Sequence, residues 1–309
     1  MQKIVSGLWF DMNAEEAMQF YVDAFSKTSF GASNSHVEAI KRYPDEVSED
    51  FMKGMEGKVL NGIFQLAGYK FFCLDGGSRF KFTPAISFFV RSNSVDDIDT
   101  LWNALSDNST VLMPLDTYPF SQKYGWIQDK FGLSWQLVVE DSIIEQTIVP
   151  SLMFISDGKQ AEAAIRFYAD IFPNSEVGNI MRYPADQAPQ VADAVSYAEL
   201  TLANQHFVAM DSAPIHDFTF NEAISFYVEC DSQAEVDAYW NSLSAIAEAE
   251  QCGWLKDEYG ISWQIIPKQL GELMSDPDPV KVERVMQAML QMKKIIIADL
   301  ETAYTQPIS

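Results

Sequence analysis

The chain has 309 residues, of which 48% are hydrophobic and 21% charged, and its formal net charge at pH 7 is −23. This composition is typical of a globular protein, and a usual domain size of about 150 residues predicts two domains. The negative charge is not offset by any Lys/Arg cluster, which argues against nucleic acid or a membrane as a partner. No apolar run approaches the roughly 20 residues of a membrane span, and the N-terminus lacks a signal-peptide pattern, so we expect a cytoplasmic protein.

The first half of the chain contains two successive groups of elements. Each group begins with an alternating, strand-like pattern, continues with apolar residues at helical spacing, and ends in short apolar stretches separated by turns. The first strand and helix are VSGLWF (5–10) and NAEEAMQFYVDAF (13–25), and the second pair is AISFFV (85–90) and VDDIDTLWNAL (95–105). This order predicts a β-α-β-β-β unit that occurs twice.

The second half repeats these blocks in the same order. NAEEAMQFYVDAF corresponds to QAEAAIRFYADIF (160–172), AISFFV to AISFYV (223–228), and KFGLSWQLV (130–138) to EYGISWQII (258–266). An ordered internal repeat indicates a duplicated architecture. We therefore predict an α+β protein of four βαβββ units, with one domain at 1–145 and a second at 146–270.

The last segment, 271–309, has no counterpart in the first half. Asp278 and Pro279 form an N-cap and first-turn pair, and apolar residues then recur at helical spacing to about residue 304. The pattern predicts one long amphipathic helix that packs on its own core or on a partner subunit.

The repeated strand SWQ raises the question of whether an active site or a piece of core was duplicated. Alternation along the strand places Ser134, Gln136 and Val138 on one face and Trp135 on the other. We interpret the strand as mostly duplicated core.

The ordered blocks, and above all the closing motif D-x-x-G-x-S-W-Q, resemble the PhnB-like group of the glyoxalase/bleomycin-resistance (vicinal oxygen chelate) superfamily. That group is often labelled as a 3-demethylubiquinone-9 3-methyltransferase domain. The resemblance implies two glyoxalase-like domains, each a pair of βαβββ units that wrap into an incomplete barrel around a cavity. It also implies an internal pseudo-dimer within one chain and leaves the formation of a homodimer open.

Metal-dependent members of the superfamily hold a divalent ion with His, Glu or Gln side chains on facing strands. The resemblance assigns the matching positions here to Gln136 and Gln264, Gln65 and Glu199, Ser6 and Ala85, and Met153 and Ala223. No imidazole is among them, and a neutral amide is a weak ligand. We therefore expect neither a metal nor another cofactor.

Three small-molecule functions are compatible with these residues, and a fourth possibility is that one or both halves have lost their cavity and act as an interaction scaffold. The first is metal-free binding of a small hydrophobic or amphipathic molecule in a cavity, with Gln65, Gln136, Glu199 and Gln264 as polar anchors. The alternatives are a metal-dependent lyase or dioxygenase, and a methyltransferase, for which no strand runs into a glycine-rich nucleotide-binding turn. Catalysis itself stays open: Glu199 is the candidate general base if it is buried, and a solvent-facing strand residue otherwise.

Overall fold

Four consecutive modules, each a strand followed by a helix and further strands, make up most of the chain. The computed structural model describes residues 2–45, 53–156 and 159–306. Module 1 consists of β1 (Ile4–Phe10), α1 (Ala14–Phe25), β2 (His36–Arg42), β3 (Val59–Leu66) and β4 (Tyr69–Asp75). Module 2 consists of β5 (Ile86–Ser92), α2 (Val95–Leu105), β6 (Thr110–Tyr118), β7 (Ser121–Gln128) and β8 (Ser134–Val139).

The second half repeats this order with one difference in its last module. Module 3 consists of β9 (Ile148–Ile155), α3 (Ala161–Ile171), β10 (Glu176–Arg182), β11 (Val195–Leu202) and β12 (Gln205–Ser212). Module 4 consists of β13 (Ile224–Cys230), α4 (Gln233–Leu243), β14 (Trp254–Lys256) and β15 (Ser262–Pro267). A 3-10 turn at Ala247–Ala249 stands in place of its second strand. The predicted α+β class is confirmed, and the fourth module is a shortened βαβββ unit.

The described chain divides into two compact units. The larger unit contains Ser6–Ile224, and the smaller unit contains Lys3–Val5 together with the chain from Ser225 onward. The boundary falls inside the second half of the sequence, between module 3 and module 4.

An eight-stranded sheet lies entirely within the larger unit. Its strand order is β10-β11-β12-β9-β5-β8-β7-β6, so the strands of module 3 and module 2 form one continuous sheet. The seam is an antiparallel pairing of β5 with β9, in which Ser87 lies directly opposite Ser151. This corrects the expectation that each half wraps its own barrel, because the edge of β5 obtains its hydrogen-bonding partner from the other half of the sequence.

The two faces of this sheet have different neighbours. On one face, Trp135 packs against Tyr21 and Phe25 of α1, with ring centroids 5.5 Å apart in both pairs. The other face carries a cluster of buried side chains from five strands, which we call the inner face: Phe89, Tyr124, Val138, Val149 and Val208. Strand alternation therefore separates a helix-covered core from an aromatic inner face.

A buried aspartate at the end of the fourth strand caps the first helix in both copies. Asp75 Oδ1 accepts from the Ala14 backbone N–H at 2.9 Å, and Asp211 Oδ1 accepts from the Ala161 N–H at 2.8 Å. Since the first N–H groups of a helix have no partner within the helix, this contact fixes where α1 and α3 begin.

The smaller unit ends in three helices: α5 (Lys268–Leu273), α6 (Pro279–Leu290) and α7 (Ile297–Thr305). The predicted single helix is therefore wrong. Its continuity breaks where the Met292 and Lys293 carbonyls accept from the Cys252 and Gly253 N–H groups at 2.8 and 2.7 Å, while Ile295 is fully buried. Over the described ranges, none of the helices has both the length and the apolar character needed to cross a bilayer.

Candidate functional site

The repeated SWQ strand is preceded in each copy by a buried aspartate, which accounts for the recurrence of the motif. Asp129 Oδ1 accepts from the backbone N–H groups of Phe131 and Leu133 at 2.8 and 3.1 Å, and its Oδ2 accepts from Trp135 Nε1 at 2.8 Å. The second copy repeats the pattern, with Asp257 bound to the Tyr259 and Ile261 N–H groups and to Trp263 Nε1. The carboxylate thus closes the turn and fixes the indole.

Asp129 is almost completely buried, and this burial raises its pKa to about 6, against hydrogen bonds from the Trp135 indole and the backbone that lower the pKa. A raised carboxyl pKa in a cleft would suggest an acid–base group. Here both oxygens are occupied by structural hydrogen bonds and only 3% of the residue is exposed. We therefore assign Asp129 to the core.

Gln136 lies on the inner face at the centre of a short polar chain. Its Nε2 donates to Ser87 Oγ at 2.7 Å, and the Tyr124 hydroxyl donates to its Oε1 at 2.5 Å. In the smaller unit, Gln264 Nε2 donates to Ser225 Oγ at 2.9 Å. Both amides are buried, so each of these hydrogen bonds satisfies a group that water cannot reach.

The two other candidate residues lie on strand surface, where Gln65 is half-buried and Glu199 is exposed. Gln65 Nε2 donates to the Glu38 carboxylate at 3.2 Å. Glu199 is exposed, and its Oε1 accepts from the Tyr197 hydroxyl at 3.3 Å. Three strands separate β8, which carries Gln136, from β11, which carries Glu199. The structure therefore does not bring these two residues together as one ligand set.

A pocket of about 270 Å³ opens at one end of the inner face, where the two halves of the sequence meet. Glu199 contributes to its wall, and the first half contributes Arg91 and Glu140. The charged and titratable side chains of the wall are Arg91, Glu140, Glu145, Glu176, Glu199 and His206. Because module 2 and module 3 share one sheet, residues distant in sequence form this single concavity.

Arg91 connects the pocket to the aromatic residues of the inner face. Its Nε lies 3.2 Å from a Glu140 oxygen, and its Nη2 donates to the Tyr197 hydroxyl at 3.0 Å. The Tyr197 ring meets Phe89 edge-on, with centroids 6.4 Å apart. Burial raises the pKa of Tyr197 to about 12, against the nearby Arg91 charge, so the phenol stays protonated and can donate to Glu199.

The positions that the resemblance assigns to metal ligands do not fit a transition metal. Ala85 and Ala223 have no donor atom, and the Ser6 hydroxyl is hydrogen-bonded to the Tyr69 hydroxyl at 2.9 Å. Met153 offers only a buried thioether. Among the described residues, no three His, Cys, Asp or Glu side chains are grouped so that they could hold an ion. We therefore derive no chemical step through a metal.

Sequence reasoning missed the residues that connect the pocket to the inner face. Ser87 has a readable signal, since the block AISF recurs with Ser225 in the same place. Arg91 has none, because its partner Tyr197 is 106 positions away and belongs to the other half. Only the pairing of β5 with β9 brings their strands into one sheet.

Comparison with known proteins identifies relatives for both halves. The family model described as 3-demethylubiquinone-9 3-methyltransferase matches residues 2–138 and again 146–266. The PhnB protein from Bacillus cereus is 40% identical over 44% of this chain and 98% of its own, with a TM-score of 0.39. Glyoxalase I from Zea mays is 11% identical over 88% of this chain and 96% of its own; its TM-score of 0.53 shows a shared fold alone. No curated protein matches the chain.

Proposed function

We propose that this chain, which belongs to the 3-demethylubiquinone-9 3-methyltransferase family and carries the family's domain twice, binds a small amphipathic molecule without a metal. The binding site is the pocket beside Arg91. The apolar part of the ligand packs on Ile143, Leu200 and Phe207 of the pocket wall, beside the aromatic cluster, and its polar part faces the charged side chains.

One observation carries this proposal: the pocket of about 270 Å³ borders an aromatic cluster through a half-buried arginine. Small-molecule sites combine apolar walls with a few placed polar groups, and drug-sized ligands need roughly 300–1,000 Å³. A volume of about 270 Å³ therefore suits a compact molecule. The Arg91 guanidinium, held by Glu140 and Tyr197, is oriented before the ligand arrives.

Native mass spectrometry of the purified protein tests this proposal. We expect a non-covalent small-molecule adduct, and we expect Arg91→Gln to reduce its occupancy about tenfold, since one hydrogen bond from a charged donor is worth roughly 1.5–3 kcal/mol. Glu199→Gln, measured alongside, decides whether this carboxylate contacts the ligand.

The matched control is Arg166→Gln, which makes the same charge change in an exposed ion pair with Glu162 on α3. It should leave the adduct unchanged. Absence of any adduct, equal loss in both arginine variants, or a stoichiometric transition metal in elemental analysis would each contradict metal-free binding in this pocket.

A further inference from the structure

A second pocket in the larger unit, also of about 270 Å³, lies where β1 ends. Half of its lining residues are aromatic, and we call it the aromatic pocket: Trp9, Phe10, Phe80, Phe82 and Phe131. Phe10 is buried and forms the floor, whereas the other rings are partly exposed. Apolar ring surface therefore faces an open volume that neither the family relationship nor the Arg91 pocket explains.

The rings are held in fixed positions. The Trp9 indole N–H donates to the Gly77 carbonyl at 2.7 Å, and the ring packs so closely on Gly76 that a Cβ there would come within 2.1 Å of it. Phe80 meets Trp9 edge-on at 5.1 Å, and Phe82 meets Phe10 at 5.2 Å. A preformed pocket of aromatic faces favours a planar aromatic ligand, because offset and edge-on ring contacts add to the burial of apolar area.

Two cations stand at the edge of this pocket in a chain whose net charge is −23. Lys81 lines the pocket, and the Arg79 guanidinium lies 5.1 Å from the centre of the Phe80 ring. Across residues 2–45, 53–156 and 159–306, neither cation forms an ion pair with a carboxylate. One carboxylate, Asp11, also lines the wall and limits the excess positive charge.

The second copy of the loop provides an internal comparison. The block RFKF (79–82) aligns with DFTF (217–220), so the aromatic positions are kept while Arg79 and Lys81 are replaced by Asp217 and Thr219. The two phenylalanines are therefore common to both copies, whereas the positive charge is specific to the first. A charge that is not required by the shared fold suggests recognition of an anion.

We propose that the aromatic pocket binds a planar aromatic molecule that carries one carboxylate or a similar anionic group. The ring lies against Trp9 and Phe80, and the anion faces Lys81 and Arg79. This site shares no lining residue with the Arg91 pocket. A negative result for the aromatic pocket therefore would not contradict the function proposed above.

Isothermal titration calorimetry with 2-naphthoate tests the proposal on the full chain. We expect saturable binding that weakens at high salt, since exposed charges are screened. The double variant Arg79→Gln/Lys81→Gln should weaken binding about tenfold through loss of charge-assisted hydrogen bonds, and Phe80→Leu about fivefold through loss of a ring contact. The neutral analogue 2-naphthylmethanol should bind the native protein about as weakly as 2-naphthoate binds the double variant.

The control Lys159→Gln/Arg166→Gln removes two exposed cations from module 3 and should leave the affinity unchanged. The proposal is overturned if 2-naphthoate does not bind, or if its affinity is the same in the Arg79/Lys81 variant, the Phe80 variant and the native protein.

Discussion

The inner face of the larger unit and the corresponding face of the smaller unit are built on the same strand pattern but covered differently. Phe89, Gln136 and Val138 correspond in sequence to Tyr227, Gln264 and Ile266. In the smaller unit, this face is packed by the C-terminal helices, in a cluster of Ile266, Leu270, Val285, Ile295 and Leu300 with methionines and Tyr227 beside it. In the smaller unit, the C-terminal segment therefore occupies the face that a ligand could otherwise contact.

In the larger unit, side chains of the long β6–β7 hairpin pack on this face instead. Tyr118 and Phe120 stack near its tip, 5.6 Å apart, and Phe120 meets Tyr124, whose hydroxyl binds Gln136. Module 4 has only the three-residue β14 in this region, and Cys252 occupies the place of Tyr124. Duplication thus preserved the strands. The β6–β7 hairpin and the C-terminal helices differ between the two units, and the open pocket beside Arg91 lies at the end of the face of the larger unit.

The largest expected effect comes from disturbing the helical cover of the smaller unit. Val285 is fully buried in that cluster, so Val285→Asp places a carboxylate where it has neither water nor a partner. We expect a loss of about 4 kcal/mol in the free energy of unfolding of the smaller unit. Urea unfolding, together with hydrogen exchange of α6 and α7, measures it.

Val280→Asp is the matched control, since Val280 is 47% exposed and lies in the first turn of the same helix. An acidic residue near a helix N-terminus is tolerated or slightly favourable. If Val285→Asp and Val280→Asp lower the free energy of unfolding equally, the C-terminal helices do not bury this face in solution.

A smaller effect is expected from Asp129, the buried aspartate that precedes the first SWQ strand. Its folded pKa of about 6 lies above the ordinary value of 3.8, so the folded protein binds the proton more tightly than the unfolded chain does. Stability from this group is therefore present at low pH and is lost as the pH rises through about 6. Between pH 5 and pH 7 the loss amounts to about 1 kcal/mol.

Asp129→Asn removes this titration, at the cost of disturbing the hydrogen bond to Trp135. The difference in unfolding free energy between the native protein and the variant should shrink by about 1 kcal/mol from pH 5 to pH 7. Denaturant titrations at both values measure it. A difference that does not change with pH would show that the carboxyl does not titrate in this range.

Local patterns in the sequence predicted the strands, the repeat and the orientation of the SWQ strand correctly. Trp135 lies on the helix-covered side and Gln136 on the inner face. Alternation predicted that they lie on opposite faces, because it depends only on the geometry of one strand, and the resemblance assigned Gln136 to the inner side. The continuity of the sheet across β5 and β9 could not be predicted, since any exposed edge can accept a partner and periodicity does not say which.

The break in the C-terminal helix and the exposure of Glu199 also could not be predicted from local sequence patterns. Helical spacing continues through residues 291–296, and only the hydrogen bonds to Cys252 and Gly253 reveal why the helix stops there. Glu199 could be placed on a strand by its alternation, but its exposure depends on β10 and β11 lying at the outer end of the sheet. Neighbours distant in sequence decide both features.

A further comparison concerns the two serines that face each other across the β5–β9 seam. Ser87 and Ser151 are equally buried, each 1% exposed, but only Ser87 Oγ accepts from Gln136, while Ser151 Oγ has no hydrogen-bond partner among the described residues. Ser87→Ala leaves a buried amide donor unsatisfied and should cost about 1–2 kcal/mol in unfolding free energy. Ser151→Ala removes an unpaired hydroxyl and should be neutral or slightly stabilising, because the native fold already bears the cost of desolvating it. Thermal and urea unfolding of the two variants compares them directly. Equal destabilisation would mean that Ser151 has a hydrogen-bond partner in solution and that the inner face is more polar at the seam than its side-chain contacts indicate.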